Sequence, residues 1–68
     1  MRIELNGETI ELGDDATVRD AVARAGGNGD ARGVAVALDG EVVRRGDWER
    51  MELRDGQSVE VVAAIQGG

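Results

Sequence analysis

The sequence predicts an α+β domain in which a mixed sheet of four to five strands packs on one helix. Three observations predict it: two hairpin patterns, one helical stripe between them, and an alternating strand near the end of the chain. The 68 residues suffice for one small domain, and 41% of them are hydrophobic. Because Trp48 is the only aromatic residue, we expect a core of Val, Ile, Leu and Ala.

The first hairpin is predicted over residues 2–12. Polar and apolar residues alternate on both sides of Asn6-Gly7, and this dipeptide favours the type I′ turn, in which both central residues have positive φ. Glu4 and Glu11 are expected to face water. The four apolar residues are expected on the buried face: Ile3, Leu5, Ile10 and Leu12.

A helix is predicted after Gly13-Asp14-Asp15, which breaks the strand pattern. Four apolar residues follow the i, i+3, i+4, i+7 spacing of one helical face: Val18, Ala21, Val22 and Ala25. Thr17 is expected to cap the first turn, with Asp20 as its capping-box partner. Gly26-Gly27 is expected to end the helix in the left-handed conformation that glycine tolerates.

A second hairpin is predicted after the helix. Residues 33–38 form a nearly continuous apolar run, which is typical of a central strand covered on both faces or nearly so. Asp39-Gly40 then predicts a turn and residues 41–44 a short returning strand. Residues 46–50 are expected to form a turn or a brief 3₁₀ segment, with Trp48 covering an edge of the core.

The last strand is predicted after a third turn at Asp55-Gly56. Because a glutamate is rarely buried, the face opposite Glu60 is expected to be core. That face carries Val59, Val61, Ala63 and Ile65. Val62 and Ala64 then remain as apolar residues on the exposed face.

The order of these elements predicts a β-grasp, the ubiquitin-like arrangement. Two hairpins flank one helix, and the final strand is expected to lie parallel beside the first strand in the middle of the sheet. We expect the folded domain to span residues 1–65. Residues 66–68, Gln-Gly-Gly, are then a flexible tail that projects from the sheet.

The composition excludes most side-chain chemistry. The chain has no cysteine and no histidine, so carboxylates and arginines are its remaining reactive groups. We therefore expect no enzyme activity, no catalytic residue, no bound cofactor and no metal site. All eight basic residues are arginine, so no lysine side chain can accept an isopeptide bond.

The charge balance restricts the partners. A net charge of −6 and a pI near 4.4 argue against nucleic acid and anionic membranes, which attract clustered cations. The acidity suits a basic protein surface instead. No signal-peptide pattern and no membrane-length apolar run occurs, so a cytoplasmic protein is expected.

The chain stops on Gly67-Gly68, whose free carboxylate stands on a narrow tail without side chains. Such a carboxylate can be activated as an acyl-adenylate if the tail threads a partner's active site. Two adjacent glycines also arise by chance in a chain with 11 glycines, and termini built from small residues are common. The dipeptide alone therefore leaves a frayed end as an equal alternative.

Several motifs in the second half of the chain occur together in one family. They are Val34–Leu38, Val42-Val43 with Arg45 and Trp48 after it, Leu53-x-Asp55-Gly56, and Val59-Glu60-Val61-Val62 running to Gln66-Gly67-Gly68. With the length and element order of the whole chain, they resemble the ThiS-type sulfur carriers of thiamine biosynthesis. Two positions depart from the family pattern, which usually has Asn at position 39 and Pro at position 44.

The resemblance implies a carrier whose catalysis belongs to its partners. An E1-like adenylyltransferase of the ThiF type would use ATP and a sulfur donor to convert the Gly68 carboxylate into a thiocarboxylate. A thiazole synthase of the ThiG type would then take the sulfur for the thiazole ring of thiamine. Tail threading is expected for Gly67, Gln66 and Ile65, and partner docking for Val62, Ala64 and Glu60.

Three other functions fit the same sequence. The chain could carry sulfur in another pathway, as the small subunit of molybdopterin synthase or in tRNA thiolation or cysteine synthesis. It could be a ubiquitin-like modifier that is conjugated to lysines of other proteins. It could also be a β-grasp domain with no activation chemistry.

Overall fold

The computed structural model describes residues 1–26 and 33–63, which form a five-stranded mixed sheet with one helix on one face. The strands are β1 (Arg2–Leu5), β2 (Glu8–Glu11), β3 (Val34–Leu38), β4 (Glu41–Val43) and β5 (Ser58–Ala63). The helix is α1 (Val18–Arg24), and Arg45–Asp47 forms a short 3₁₀ turn. This architecture confirms the predicted α+β fold of the β-grasp type.

The sheet has the strand order β2-β1-β5-β3-β4. Both hairpins are antiparallel, whereas β5 runs parallel to β1 and antiparallel to β3. The last strand therefore lies in the middle of the sheet, parallel beside the first, as predicted. It is held by backbone hydrogen bonds from both sides.

Both predicted hairpin turns form, and each places an Asn or Asp residue at positive φ. Asn6 has a φ of 53° and Gly7 of 85°, while Asp39 has 49° and Gly40 has 88°. Positive φ at both central positions is the mark of the type I′ turn, whose twist matches that of the flanking strands.

The helix is shorter than the sequence predicts. Val18, Ala21 and Val22 are buried on the predicted face, but α1 ends at Arg24 and Ala25 is exposed. The predicted apolar stripe is therefore buried only as far as Val22. Ala25 is the C-cap, and Gly26 after it adopts a φ of 95°, which is the left-handed ending that the sequence predicts.

The predicted capping residues meet at the start of α1. The Thr17 backbone N–H donates to the Asp20 carboxylate at 2.8 Å, and the Thr17 hydroxyl lies 3.3 Å from the same oxygen. The segment before β5 also holds this end, since Val18 N–H donates to Met51 O at 2.9 Å.

Replacing Asp20 with Ala is expected to lower the free energy of unfolding by about 1 kcal/mol, because the Thr17 N–H loses its acceptor. For a domain of this size, the melting temperature then falls by about 4–8 °C. Thermal denaturation followed by circular dichroism measures this loss. Glu49→Ala, which removes the Arg19–Glu49 surface pair instead, is the control and is expected to change little, since that pair is exposed.

The hydrophobic core lies between α1 and one face of the sheet. Its most deeply buried members come from the helix and from three strands: Ile3, Val18, Ala21, Val36 and Val59. Trp48 is only 2% exposed, and its Nε1–H donates to Val43 O at 3.1 Å. Trp48 is thus a member of the core itself, whereas the sequence predicts that it covers an edge of the core.

The burial of β3 corrects a second prediction. β3 lies inside the sheet, between β5 and β4, but only Val36 is fully buried and Ala35 is exposed. The helix covers one face of the sheet, and the other face of β3 lies open in this structure. The apolar run reflects small alanines on that open face, so the expected burial on both faces is wrong.

Candidate functional site

The predicted site residues fall on β5 and beyond it. Glu60 and Val62 lie on β5, and both are exposed. Ala64, Ile65, Gln66, Gly67 and Gly68 lie outside the described residues. The describable part of the site is therefore the strand that leads to the tail and the sheet face that this strand shares with its neighbours.

The alternation along β5 follows the prediction as far as it is described. Val59 is fully buried, and Val61 is half-buried and packs against the core. The side chain of Ala63 and the whole of Ile65 lie outside what the structure describes. Because side chains alternate along a strand, Glu60 and Val62 share the face that points away from α1.

Four apolar residues meet on this face, and we call them the outer-face patch: Ala35, Ala37, Val42 and Val62. The strand register places Ala35 beside Val62 and places Ala37 between Val42 and Glu60. Val42 is 79% exposed and Val62 62%, which makes them the exposed large hydrophobic residues of the described chain. Small alanines between them leave the patch flat.

Acidic residues lie beside the patch on the same face. Glu60 lies across from Ala37, and Glu4 pairs with Thr9 on one side and with Ser58 on the other. Both glutamates are exposed. The outer face is thus apolar on the β3 and β4 side and charged towards β1, where Arg2 is exposed on the same face as Glu4.

The described residues contain neither a metal-ligand cluster nor a buried polar side chain. Within residues 1–26 and 33–63, no cluster of three or more acidic side chains is placed to hold a metal ion. In the same ranges no polar or charged residue is buried. Two open grooves lie along α1, one of them beside Asp15 and Arg24, and the sheet separates them from the outer-face patch.

A central strand that continues into a glycine tail, on a fold with one helix across a mixed sheet, defines a ubiquitin-like β-grasp protein. Comparison with known families names the group more narrowly. The chain belongs to the ThiS family, whose profile matches residues 2–68. It is therefore a ThiS-type sulfur carrier.

Two solved structures support this assignment. The crystal structure of the thiamine biosynthesis protein ThiS from Geobacter metallireducens is 26% identical, with a TM-score of 0.78 and full coverage of both chains. The solution structure of a thiamine biosynthesis protein from the same organism is also 26% identical, with a TM-score of 0.79. It matches all of this chain over 88% of its own length. Comparison with curated proteins gives no match.

Some features of the site escape the sequence analysis. Val42 and Ala35 join Val62 on the outer face only through strand register, which local pattern does not contain. Asn6 and Asp39 are predicted as turn residues, yet both side chains also accept hydrogen bonds from β5.

In the described part of the chain, no helix is long and apolar enough to cross a membrane.

Proposed function

We propose that this protein carries sulfur for the thiazole ring of thiamine as a thiocarboxylate on Gly68. The observation that supports the proposal most directly is the family match, which extends over residues 2–68 and so includes Gly67-Gly68. The structural relatives are both described as thiamine biosynthesis proteins. β5 runs from the rigid centre of the sheet towards this end of the chain.

The chemistry needs two steps at one carbon atom. A carboxylate is a poor electrophile, so the Gly68 carboxylate first attacks ATP and forms an acyl-adenylate with release of pyrophosphate. A sulfur donor then displaces AMP, which leaves a thiocarboxylate. When the sulfur bonds to the acceptor and its bond to the Gly68 carbonyl carbon breaks, an oxygen atom from water or from the acceptor takes its place, which regenerates the carboxylate.

The protein acts in this scheme as a cosubstrate. ATP and the sulfur donor bind to an E1-like adenylyltransferase of the ThiF type, and a thiazole synthase of the ThiG type accepts the sulfur. The chain has no cysteine or histidine to carry sulfur or move protons. Unlike the side-chain carboxyl groups, the C-terminal carboxyl group stands on a glycine, so no side chain lies beside the carbon atom that would bear the sulfur.

The tail residues have separate roles in the proposal. Gly68 bears the sulfur, and Gly67 keeps the tail narrow enough to thread an active site. Gln66 and Ile65 contact the walls of that channel. A side chain at either glycine widens the tail where the partner encloses it.

We further propose that the activating enzyme docks on the outer-face patch. Val62, Ala64 and Glu60 are its contacts nearest the tail, and Val42 extends the apolar surface across β3. Two exposed valines on a flat sheet face suit an apolar partner surface. The neighbouring Glu60 and Glu4, on a chain with net charge −6, suit basic residues at the rim of that surface.

Val62→Arg is expected to raise the KM for adenylation about tenfold or more, because docking no longer buries the valine and meets a charge instead. The value of kcat is expected to change little, since the tail is intact. Pyrophosphate release by the cognate adenylyltransferase at varied carrier concentrations measures both constants. Ala23→Arg adds the same side chain at an exposed position on α1, away from the patch, and is expected to leave KM unchanged. Equal KM values for the two variants would exclude docking at Val62.

The proposed function is tested by intact mass spectrometry. The protein is incubated with a cognate adenylyltransferase, ATP and a sulfur donor, and one oxygen is expected to be replaced by sulfur at the C-terminus. The thiocarboxylate is then offered to thiazole synthase and, in parallel, to molybdopterin synthase apo-subunits. Transfer to thiazole synthase alone supports the thiamine pathway.

Two outcomes contradict the proposal. If no sulfur is gained with any plausible activating enzyme, the protein is not a carrier of this kind. If the protein is found covalently joined to lysines of other proteins in its native cell, by mass analysis under denaturing conditions, it is a protein modifier.

A further inference from the structure

Asn6 makes a contact with β5 that its role in the hairpin turn does not require. Its side-chain Oδ1 accepts a hydrogen bond from the Val61 backbone N–H at 2.8 Å. The two residues are 55 positions apart in the chain. The first turn of the protein thus holds the strand that leads to its last residue.

The register of the sheet explains why a side chain is needed there. Along the parallel pair, Glu4 N–H donates to Gln57 O and Asn6 N–H donates to Val59 O, both at 2.9 Å. Parallel ladders are evenly spaced, so in a continued ladder the next hydrogen bond would join Val61 N–H to the backbone carbonyl of Asn6. At Asn6, however, φ is 53° and the chain turns towards β2. The carboxamide oxygen replaces the carbonyl and extends the β1–β5 ladder by one bond.

Asp39 in the second hairpin turn makes a related contact from the other side of β5. Its carboxylate accepts from Ser58 N–H at 2.9 Å and from Gln57 Nε2 at 3.1 Å. Ser58 is the first residue of β5 and Val61 is the fourth. Both turns therefore hold β5, but Asn6 holds it closer to the tail.

We propose that Asn6 is a positioning residue for the Gly68 carboxylate, a statement that rests on the proposed carrier function. Val61 lies seven residues before Gly68 in the sequence. β5 pairs with β3 as far as Ala63, and by holding the Val61 amide Asn6 fixes the β1 side of this end of the strand, from which the chain runs to the reacting carboxylate. The position of that point decides how far and in which direction the tail reaches when the outer-face patch is docked.

A simple turn role predicts something different for this residue. Glycine adopts positive φ at least as well as asparagine, so a pure turn residue tolerates replacement by Gly. Only Asn or Asp combines that backbone conformation with a short side-chain acceptor. Asn6→Gly removes the acceptor and keeps the turn, whereas Asn6→Asp keeps both.

The test compares Asn6→Gly, Asn6→Asp and the control Asp39→Gly in the full chain. Asp39→Gly makes the same kind of change in the same kind of turn and removes two hydrogen bonds to the start of β5 instead of one near the tail. The readouts are kcat and KM for pyrophosphate release by the cognate adenylyltransferase. Amide hydrogen exchange at Val61 and Ser58 is measured by NMR on the free proteins.

Asn6→Gly is expected to lower kcat about three- to tenfold, the range that one lost hydrogen bond corresponds to, with KM within about twofold. Exchange at Val61 is expected to rise by a similar factor. Asn6→Asp is expected to restore both values. Asp39→Gly is expected to speed exchange at Ser58 while kcat stays within about twofold of wild type.

The remaining outcomes each overturn the inference. If Asn6→Gly keeps the wild-type kcat, or if Asp39→Gly lowers kcat as much, Asn6 has a structural role only and the proposed function stands. If the wild-type chain is not adenylated at all, the proposed function fails and the positioning role fails with it.

Discussion

Deleting Gly68 is expected to lower the rate of thiocarboxylate formation at least about a hundredfold, while the folded domain keeps its stability. The variant still ends in a glycine with a free carboxylate, because Gly67 becomes the last residue. What changes is the distance that the tail can span. One residue of extended chain spans about 3.3–3.6 Å.

That distance is large on the scale of the reaction. Reacting atoms must approach to about 3–3.5 Å in the right orientation, and a displacement of 1 Å can already cost about a hundredfold in rate. In the proposed complex the outer-face patch docks at a fixed place, so a tail shortened by one residue would leave its carboxylate outside that range. Intact mass measured over time with the adenylyltransferase, ATP and sulfur donor gives the rate.

Two controls separate reach from other effects. Gly68→Ala keeps the length of the tail and adds one methyl group. The decrease in its rate of thiocarboxylate formation therefore reports how closely the partner encloses the tail. The melting temperature of the deletion variant is expected to equal that of wild type, since Gly68 lies five positions beyond the end of β5 at Ala63. If the deletion variant gains sulfur at the wild-type rate, the partner does not select the carboxylate of residue 68 by its reach.

Trp48→Ala is expected to lower the free energy of unfolding by about 3–5 kcal/mol. The indole is 2% exposed and is the largest side chain in the core. Removing a buried Trp costs about 3–5 kcal/mol. A domain of this length has roughly 3–10 kcal/mol of stability in total, so the expected loss is a large fraction of it.

The comparison with Trp48→Phe separates the ring from its hydrogen bond. Phenylalanine keeps most of the apolar contact but leaves Val43 O without the Nε1–H donor that lies 3.1 Å away in the wild type. The expected loss is about 1–3 kcal/mol, smaller than for alanine. Urea denaturation followed by far-UV circular dichroism gives both free energies. A loss below 1 kcal/mol for Trp48→Ala would contradict the core position of this residue.

The hairpin turns and strand faces could be predicted because their signals are local. Asn6-Gly7 and Asp39-Gly40 set positive φ at adjacent residues, and this is a property of the dipeptides themselves. The alternation around Glu60 likewise predicts the buried face of β5 as far as Val61. Each of these inferences depends on residues within a few positions of one another.

The errors arise where burial depends on distant parts of the chain. The helical pattern continues to Ala25, but packing against the sheet buries this face of the helix only from Val18 to Val22. The apolar run in β3 suggests burial on both faces, yet the one helix covers a single face. The sequence predicts that Trp48 covers an edge of the core. Its full burial in the structure depends on its packing among the strands and the helix.

The candidate site divides in the same way. The glycine tail and the exposure of Val62 follow from sequence order and strand alternation, because both need only neighbouring residues. The outer-face patch exists because β3 pairs with both β4 and β5, which places Val42 and Val62 on one surface. The hydrogen bond from Val61 N–H to Asn6 forms because β5 returns parallel to β1 at the point where the first hairpin turns. Pairing between residues far apart in the chain decides both features, and no local pattern encodes it.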